Sequence, residues 1–280
     1  MSSYLEKIGR IRAHLALEGA AGAVLSTPDN VFYATGFSSV MDGWHLVEPI
    51  AAVFVPTDAA SPVILILPEA SVISPIVSER GGHPVYFDRL ATFDMLNFCE
   101  TARAEDAHLA LPDDLLAELG DVMEQVEGQC EPDIIQTIAA CVSRHISKAE
   151  RVLFDDLRVA ARVEALIGQA SGDALDVMFA ARAVKTADEL DTLRESGQIA
   201  DAIMAYTISQ LGVGKSWSEV EKQVAHFMID HDVDPLPGSP MLFGGAYDLV
   251  FRPDLFRTPV SLPFEGGEIA ILETQGRYKN

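Results

Sequence analysis

The sequence predicts an α/β first domain, residues 1–179, followed by the start of an α+β domain, residues 180–280. Three observations carry this expectation. Short apolar runs of strand length alternate with stretches of helical spacing through the first part of the chain. A long helical stretch after Thr186 then opens a region of different character, rich in Gly and Pro from 235 to 263. The chain closes on the buried-strand pattern Glu268-Ile-Ala-Ile-Leu272 and stops at Asn280. With 280 residues, 49% hydrophobic and 22% charged, and a mean hydropathy of +0.17, the chain can bury real cores, which excludes a disordered protein.

The elements follow in order. Apolar residues at 5, 8, 11, 15 and 17 give the spacing of an amphipathic helix over 4–17. The run 20–25 comes next, then the turn cluster Ser26-Thr-Pro-Asp-Asn30, then Val31-Phe-Tyr33 and a Gly36-Phe37 strand end. Strands are expected at 50–55 and 63–67, separated by the turn-like PTDAASP, and a short one at 85–87. A helix over 70–80 ends at Gly81-Gly82. Residues 94–103 and 115–126 read as helices, and 108–111 and 152–154 as further strands. Helices are then expected over 158–171, from 187 to 211, and from Ser216 or Ser218 to about 231. Thr186 with Glu189 makes a capping-box pattern for the long one.

Charge narrows the function. Lys and Arg number 20 against 42 Asp and Glu, a formal charge of −22. Neutralising phosphates needs clustered cations, so nucleic acid and anionic lipid are excluded as general partners. Three cysteines in no C-x-x-C pattern fit a reducing compartment, and the charged N-terminus lacks the apolar core of a signal peptide. The longest apolar runs are too short for a bilayer. The expected location is the cytoplasm.

Several constellations could carry chemistry. The GVGKS at 212–216 resembles the end of a P-loop, but Ser209 stands where the pattern needs Gly, and it follows a helix rather than a strand. A helix–turn–helix is the better reading. His226, Asp230, His231, Asp232 and Asp234 are metal-capable, with His226 and Asp230 one helical turn apart, but no H-E-x-x-H motif accompanies them, and an acidic helix end with solvated histidines is the alternative. Trp44 and His45, in a loop, could line a substrate pocket or merely pack over a strand edge. Ser143 and His145 form no recognisable triad, and no G-x-S-x-G elbow is present. All seven histidines lie at or before His231.

Three segments together resemble the creatinase / Xaa-Pro aminopeptidase (M24, pita-bread) family. The first runs from Arg12-x-x-Leu15 through Ala23-Val-Leu-Ser26, Pro28-Asp-Asn30, Phe32-Tyr33 and Thr35-Gly36-Phe37. It is similar to the opening of a creatinase-type N-terminal domain. The second, Arg182-Ala-Val-Lys185 with Glu189-Leu190, Leu193-Arg194 and Ala200-Asp201, is similar to the start of the catalytic domain. The third, Gly266-Gly-Glu-Ile-Ala-Ile-Leu-Glu273-Thr-Gln-Gly276-Arg-Tyr278, resembles the strand and turn that carry the first metal-binding Asp.

The resemblance implies hydrolysis of a C–N bond in a small amide or dipeptide, and a homodimer built through the first domain. Metallo-members hold two divalent ions (Mn, Co or Zn) on two Asp, one His and two Glu, and the metals polarise the carbonyl while bridged water attacks. Creatinase itself does without metal and uses a His, so a metal-free route stays open. By the same resemblance Glu273 is the one metal ligand in view, and Trp44 and His45 are substrate-binding candidates that could reach a neighbouring subunit's pocket. Arg252 is a third substrate-binding candidate on its own chemistry, since its planar fork grips a carboxylate, or it is a surface charge near a Pro turn.

Two departures qualify it. Glu273 stands where metallo-members have Asp, and its extra methylene displaces the ligating oxygen. The stretch 251–256 holds no His where the family places one; Asp254 is its one acid–base residue. The remaining ligands would fall beyond Asn280. Residues 276–280 read as the turn that starts the return of a hairpin whose second strand is missing. The expectation is an intact first domain and a partial second one, with most of the family's catalytic residues lacking. A non-catalytic dimerising scaffold is the alternative.

Overall fold

A computed structural model describes residues 3–39, 41–42, 48–95, 112–212, 214–236, 238–245, 263, 267 and 269–278. Its packing divides into two compact units, Met1–Thr186 and Ala187–Asn280.

The first unit is built on β1 (Gly22–Leu25), β2 (Ala52–Pro56), β3 (Ile64–Pro68), β4 (Arg89–Phe93), β5 (Val152–Phe154) and β6 (Ser171–Asp173). They form one mixed sheet in the order β4-β3-β2-β1-β5-β6. The pairs β1–β5, β5–β6 and β3–β4 are parallel, and β1–β2 and β2–β3 antiparallel. Every residue of β1, β2, β3 and β5 is buried. That is why these strands read as unbroken apolar runs: both faces of the sheet are covered.

The covering helices divide cleanly. Val24, Phe54, Ile64, Ile66 and Phe154 point to one face, under α5 (Ile134–His145) and α6 (Leu157–Ile167). Ala23, Leu25, Val53, Val55 and Leu153 alternate to the other, under α1 (Ser3–Leu17), α2 (Pro28–Thr35) and α7 (Leu175–Ala183). The edge beside β4 is extended by isolated parallel bridges Leu90–Val126 and Phe93–Glu131, next to α4 (Asp113–Met123).

Several local expectations are corrected. The Ser26–Asn30 cluster is not all turn, because Pro28 opens α2, where its missing N–H costs nothing. Gly36 ends α2 at φ 77°, and a Cβ there would run into the Tyr4 hydroxyl, so Gly36-Phe37 is a helix stop rather than a strand end. The expected strand at 85–87 is a connection; Tyr86 N–H donates to the Thr35 carbonyl, and pairing with β3 begins only at Arg89. The helix expected over 70–80 is a short 3-10 turn, Glu69–Ser71, followed by α3 (Ser74–Arg80). The helix expected over 158–171 stops at Ile167, where Gly168 takes φ 60°, and Ser171–Asp173 is the edge strand β6. The helix α5 had no expectation, although Asp133 caps it by accepting from Gln136 N–H at 2.9 Å. The helix expected at 94–103 and the strand at 108–111 fall largely or wholly outside the described residues. The boundary expected between 179 and 180 falls inside α7, whose Val177, Met178 and Ala181 are buried in the first unit's core.

One carboxylate organises the first unit. Asp155 follows β5, and its Oδ1 accepts from Ser26 N at 2.8 Å and Ser26 Oγ at 3.2 Å. Its Oδ2 accepts from Thr27 N at 3.1 Å, Thr27 Oγ1 at 2.6 Å and Asn30 Nδ2 at 3.0 Å. Thr27 makes no side-chain cap of its own to α2. Asp155→Ala leaves this turn without its acceptor, and bonds to a charged group are each worth roughly 1.5–3 kcal/mol. The expected loss is about 3 kcal/mol for the first unit, read as a lower denaturant midpoint, with Asp155→Asn losing less.

Candidate functional site

The second unit carries the one predicted site residue that the described structure contains. Its elements are α8 (Ala187–Gln210), α9 (Trp217–Ile229), β7 (Val233–Pro235), β8 (Met241–Gly245), β9 (Ile269–Glu273) and β10 (Gly276–Tyr278). The GVGKS segment is the connection between two helices. Ser216 caps α9, its Oγ accepting from Glu219 N–H while the Glu219 carboxylate accepts from Ser216 N–H at 2.8 Å. Below that cap, Trp217, Val220, Val224 and Met228 form a buried stripe of helical spacing, packed with Ile203, Val233 and Leu242.

Strands β8 and β9 are antiparallel, with Leu242 opposite Leu272 and Met241 opposite Glu273. Leu272 packs against the α9 core. Side chains alternate along a strand, so Glu273 projects from the other face, and it is exposed. Its Oε1 accepts from Gln275 Nε2 at 2.5 Å. The expected inner strand is therefore less enclosed than its apolar run suggests: Ala270 is exposed, and Ile271 and Leu272 are half-buried. Gly276–Tyr278 is not a returning turn but the strand β10, paired antiparallel with β7. A Cβ on Gly276 would press on the Val233 side chain, so the register there needs glycine.

Glu221 on α9 is a second carboxylate, not anticipated from the sequence. It accepts from Leu242 N–H at 3.0 Å, tying α9 to β8. Burial pushes its carboxyl above the ordinary range, and the Leu242 N–H opposes that shift. Nothing local in the sequence marks this role, because its partner lies 21 residues away.

The metal-capable cluster at 226–234 does not assemble among the described residues. His231 Nδ1 lies 2.8 Å from the Phe227 carbonyl, and its ring sits on the Phe227 ring at 4.0 Å. Among the described residues no group of three or more His, Cys, Asp or Glu could hold a metal ion. The described donors thus do not fit the dinuclear site that the resemblance implies, since Glu273 brings one exposed carboxylate and no second ligand beside it. Trp44, His45, Arg252 and Asp254 lie outside the described residues. In the first unit, His145 Nε2 lies 3.0 Å from Glu127 Oε1, which also takes Arg144 Nη1 at 2.6 Å; this is an Arg–Glu ion pair with a histidine hydrogen-bonded to it and not a triad. Cys141 is buried, and burial pushes its thiol up to about 12, so it is no nucleophile.

Sequence reasoning also missed the pair after β5. Asp156 caps α6 by accepting from Arg158 N–H at 2.8 Å, and its Oδ2 takes Arg158 Nη2 at 2.7 Å. The signal was available: two acids directly follow a strand-like run and precede a helical one. The Arg158 hydrogen bond leads the causes that hold the Asp156 carboxyl below the ordinary range. A carboxyl depressed in the folded state adds stability above its unfolded pKa and loses it as pH falls through the folded value. Asp156→Asn is therefore expected to flatten the fall in thermal midpoint below about pH 4, leaving the profile near neutrality parallel to that of the parent.

No protein-family model matches this sequence, and no curated protein matches it. Solved structures do. A prolidase from Thermococcus sibiricus aligns over 100% of this chain and 63% of its own, with a TM-score of 0.62 and 16% identity. Dipeptidase PepE from Mycobacterium ulcerans aligns over 98% of this chain and 61% of its own, at 0.63 and 16%. An Xaa-Pro dipeptidase from Bacillus anthracis aligns over 99% and 62%, at 0.60 and 17%. The chain thus spans about three fifths of the length of these structures. At such identities the likeness concerns architecture, and at that level the resemblance to the creatinase / Xaa-Pro aminopeptidase family is shown: the chain has the fold of the prolidases and Xaa-Pro dipeptidases, an α/β unit followed by part of an α+β one.

Proposed function

We propose that the chain serves an Xaa-Pro-peptidase-like hydrolase that cleaves a C–N bond in a dipeptide or small amide. It would contribute the N-terminal domain and the leading part of the catalytic domain. The observation that carries this reading is the alignment of essentially the whole chain with prolidases and Xaa-Pro dipeptidases. The reading includes catalytic residues outside these 280, because no His follows His231 and Glu273 is the one candidate ligand described. A divalent metal, Mn, Co or Zn, belongs to the proposal through the resemblance alone; the described donors do not fit it, and no step is assigned to it. Trp44, His45 and Arg252 are proposed to face substrate, and the protein is proposed to be a cytoplasmic homodimer. Among the described residues no helix is long and apolar enough to cross a membrane.

The non-catalytic scaffold is the second reading. The exposed Glu273, which among the described residues is held by the neighbouring Gln275 and joins no group of ligating side chains, favours it.

The experiment is an assay of the complete gene product and of the 280-residue chain on Xaa-Pro dipeptides and creatine, with and without Mn, Co and Zn. Proline release by the complete product and none by the 280-residue chain is expected. Turnover by neither, with no metal binding by calorimetry, supports the scaffold. If the complete product turns over substrate only with metal, loss of a ligand would weaken the ion that polarises the carbonyl, so Glu273→Ala is then expected to lower kcat/KM by roughly 10- to 100-fold. Unchanged activity removes Glu273 from the site.

A further inference from the structure

The second unit buries one side of its longest helix. Along α8, Ile203 and Thr207 are buried, and Ile199 and Tyr206 pack against the α9 core. A second apolar stripe lies about a third of a turn away, at Leu190, Leu193, Gly197, Ala200, Met204 and Ile208. These residues follow the three- and four-residue steps of one helix face, and all six are exposed. Leu190, Leu193, Met204 and Ile208 are between 41% and 63% exposed, so they belong to no core. The stripe is about 27 Å long. Arg194 and Asp201, both exposed, border it on the side away from the core, as the polar rim of an interface would. An apolar band of this length marks an interaction surface.

Gly197 sits in the middle of the stripe. It has ordinary helical backbone, and a Cβ there would meet no atom within 4 Å. Neither conformation nor crowding within the chain therefore calls for glycine. After proline, glycine is the least favourable residue for a helix interior. A small residue between larger apolar ones lets another backbone approach closely. Leu190 and Leu193 then flank the crossing on one side, and Met204 and Ile208 on the other. A seam this narrow, with steps of three and four, suits a helix as its occupant.

Two further observations bear on which helix. Among the described residues, the strands of this unit pair as two separate two-stranded sheets, β8–β9 and β7–β10. Such pairs need more strands or a further packed layer to be stable. The chain also aligns over 100% and 98% of itself with a prolidase and a dipeptidase, yet spans 63% and 61% of their lengths. We propose that the α8 stripe is the docking face for a helix of the polypeptide that follows Asn280 in the complete gene product, crossing α8 at Gly197 and Ala200. The proposal rests on the hydrolase reading in one respect, that the catalytic domain continues past Asn280, and it requires no activity. A formal charge of −22 disfavours a second copy of the chain as the occupant.

The test compares the complete gene product with the 280-residue chain, each carrying Leu193→Cys, Met204→Cys or, on the exposed opposite side, Gln198→Cys. Maleimide labelling of the folded proteins is read by mass at the labelled peptide. Leu193→Cys and Met204→Cys are expected to label about tenfold or more slowly in the complete product, because a covered thiol reacts only through local opening. Gln198→Cys is expected to label equally in both. Gly197→Leu is expected to lower the thermal midpoint of the complete product by about 5 °C and to leave that of the 280-residue chain within about 2 °C. Equal labelling of Leu193→Cys in the two proteins, or a gene product that ends at Asn280, overturns the proposal. Protection in the 280-residue chain that grows with its concentration assigns the face to a second copy and overturns it too. Protection in a complete product that hydrolyses nothing supports this proposal while the hydrolase reading fails.

Discussion

The geometry of the first unit depends on a carboxylate that reaches across 128 residues of sequence. Asp155, at the end of β5, receives two backbone N–H groups, two hydroxyls and an amide from the turn after β1. A carboxylate offers about four acceptor sites, and five donors share them here. The bonds fix where α2 begins, and the consequences run along it. Tyr33 on α2 reaches the Ala181 carbonyl at 2.8 Å, and Asn30 accepts Arg182 Nη1 at 3.1 Å. These two contacts tie α7 to α2, and with Val177, Met178 and Ala181 buried in the same core the first unit runs on to Thr186.

The same chain of contacts explains what could be read from the amino acids and what could not. Val63 to Leu67 and Val152 to Phe154 are legible because a strand buried on both faces needs apolar residues at every position. The 24-residue helix α8 is legible because Gly212 punctuates a long unbroken helical pattern. The start of α2 is not, since Ser, Thr, Pro, Asp and Asn suit a turn as well as a helix N-terminus, and the partner that decides between them is distant in sequence. Tyr86 misleads for a related reason. Val85-Tyr-Phe87 has strand composition, but Asp88 Oδ2 accepts Val63 N–H at 2.8 Å and holds the chain at the lip of β3, delaying the parallel pairing.

In the second unit the limit is of another kind. The strand before Glu273 was legible, but not the exposure of its face, because an apolar run does not say which side another layer will cover. The sequence pattern could also place an acid at position 273 without saying what donors would surround it. Those donors depend on residues far apart in the chain, and Arg252 and Asp254 lie outside the described residues.

The acids of this chain show that a carboxylate's chemistry is set by what remains of its hydrogen-bonding capacity. Asp155 is saturated, so it holds structure and has little left for a ligand. Asp156 is shared between a helix cap and Arg158, which keeps it ionised but committed. Glu221 has one backbone donor and is half-buried, so burial dominates and its carboxyl rises. Glu273 has one side-chain donor and an open solvent face. A carboxylate can take part in recognition only where acceptor capacity remains after its structural partners are served, and five donors leave Asp155 none.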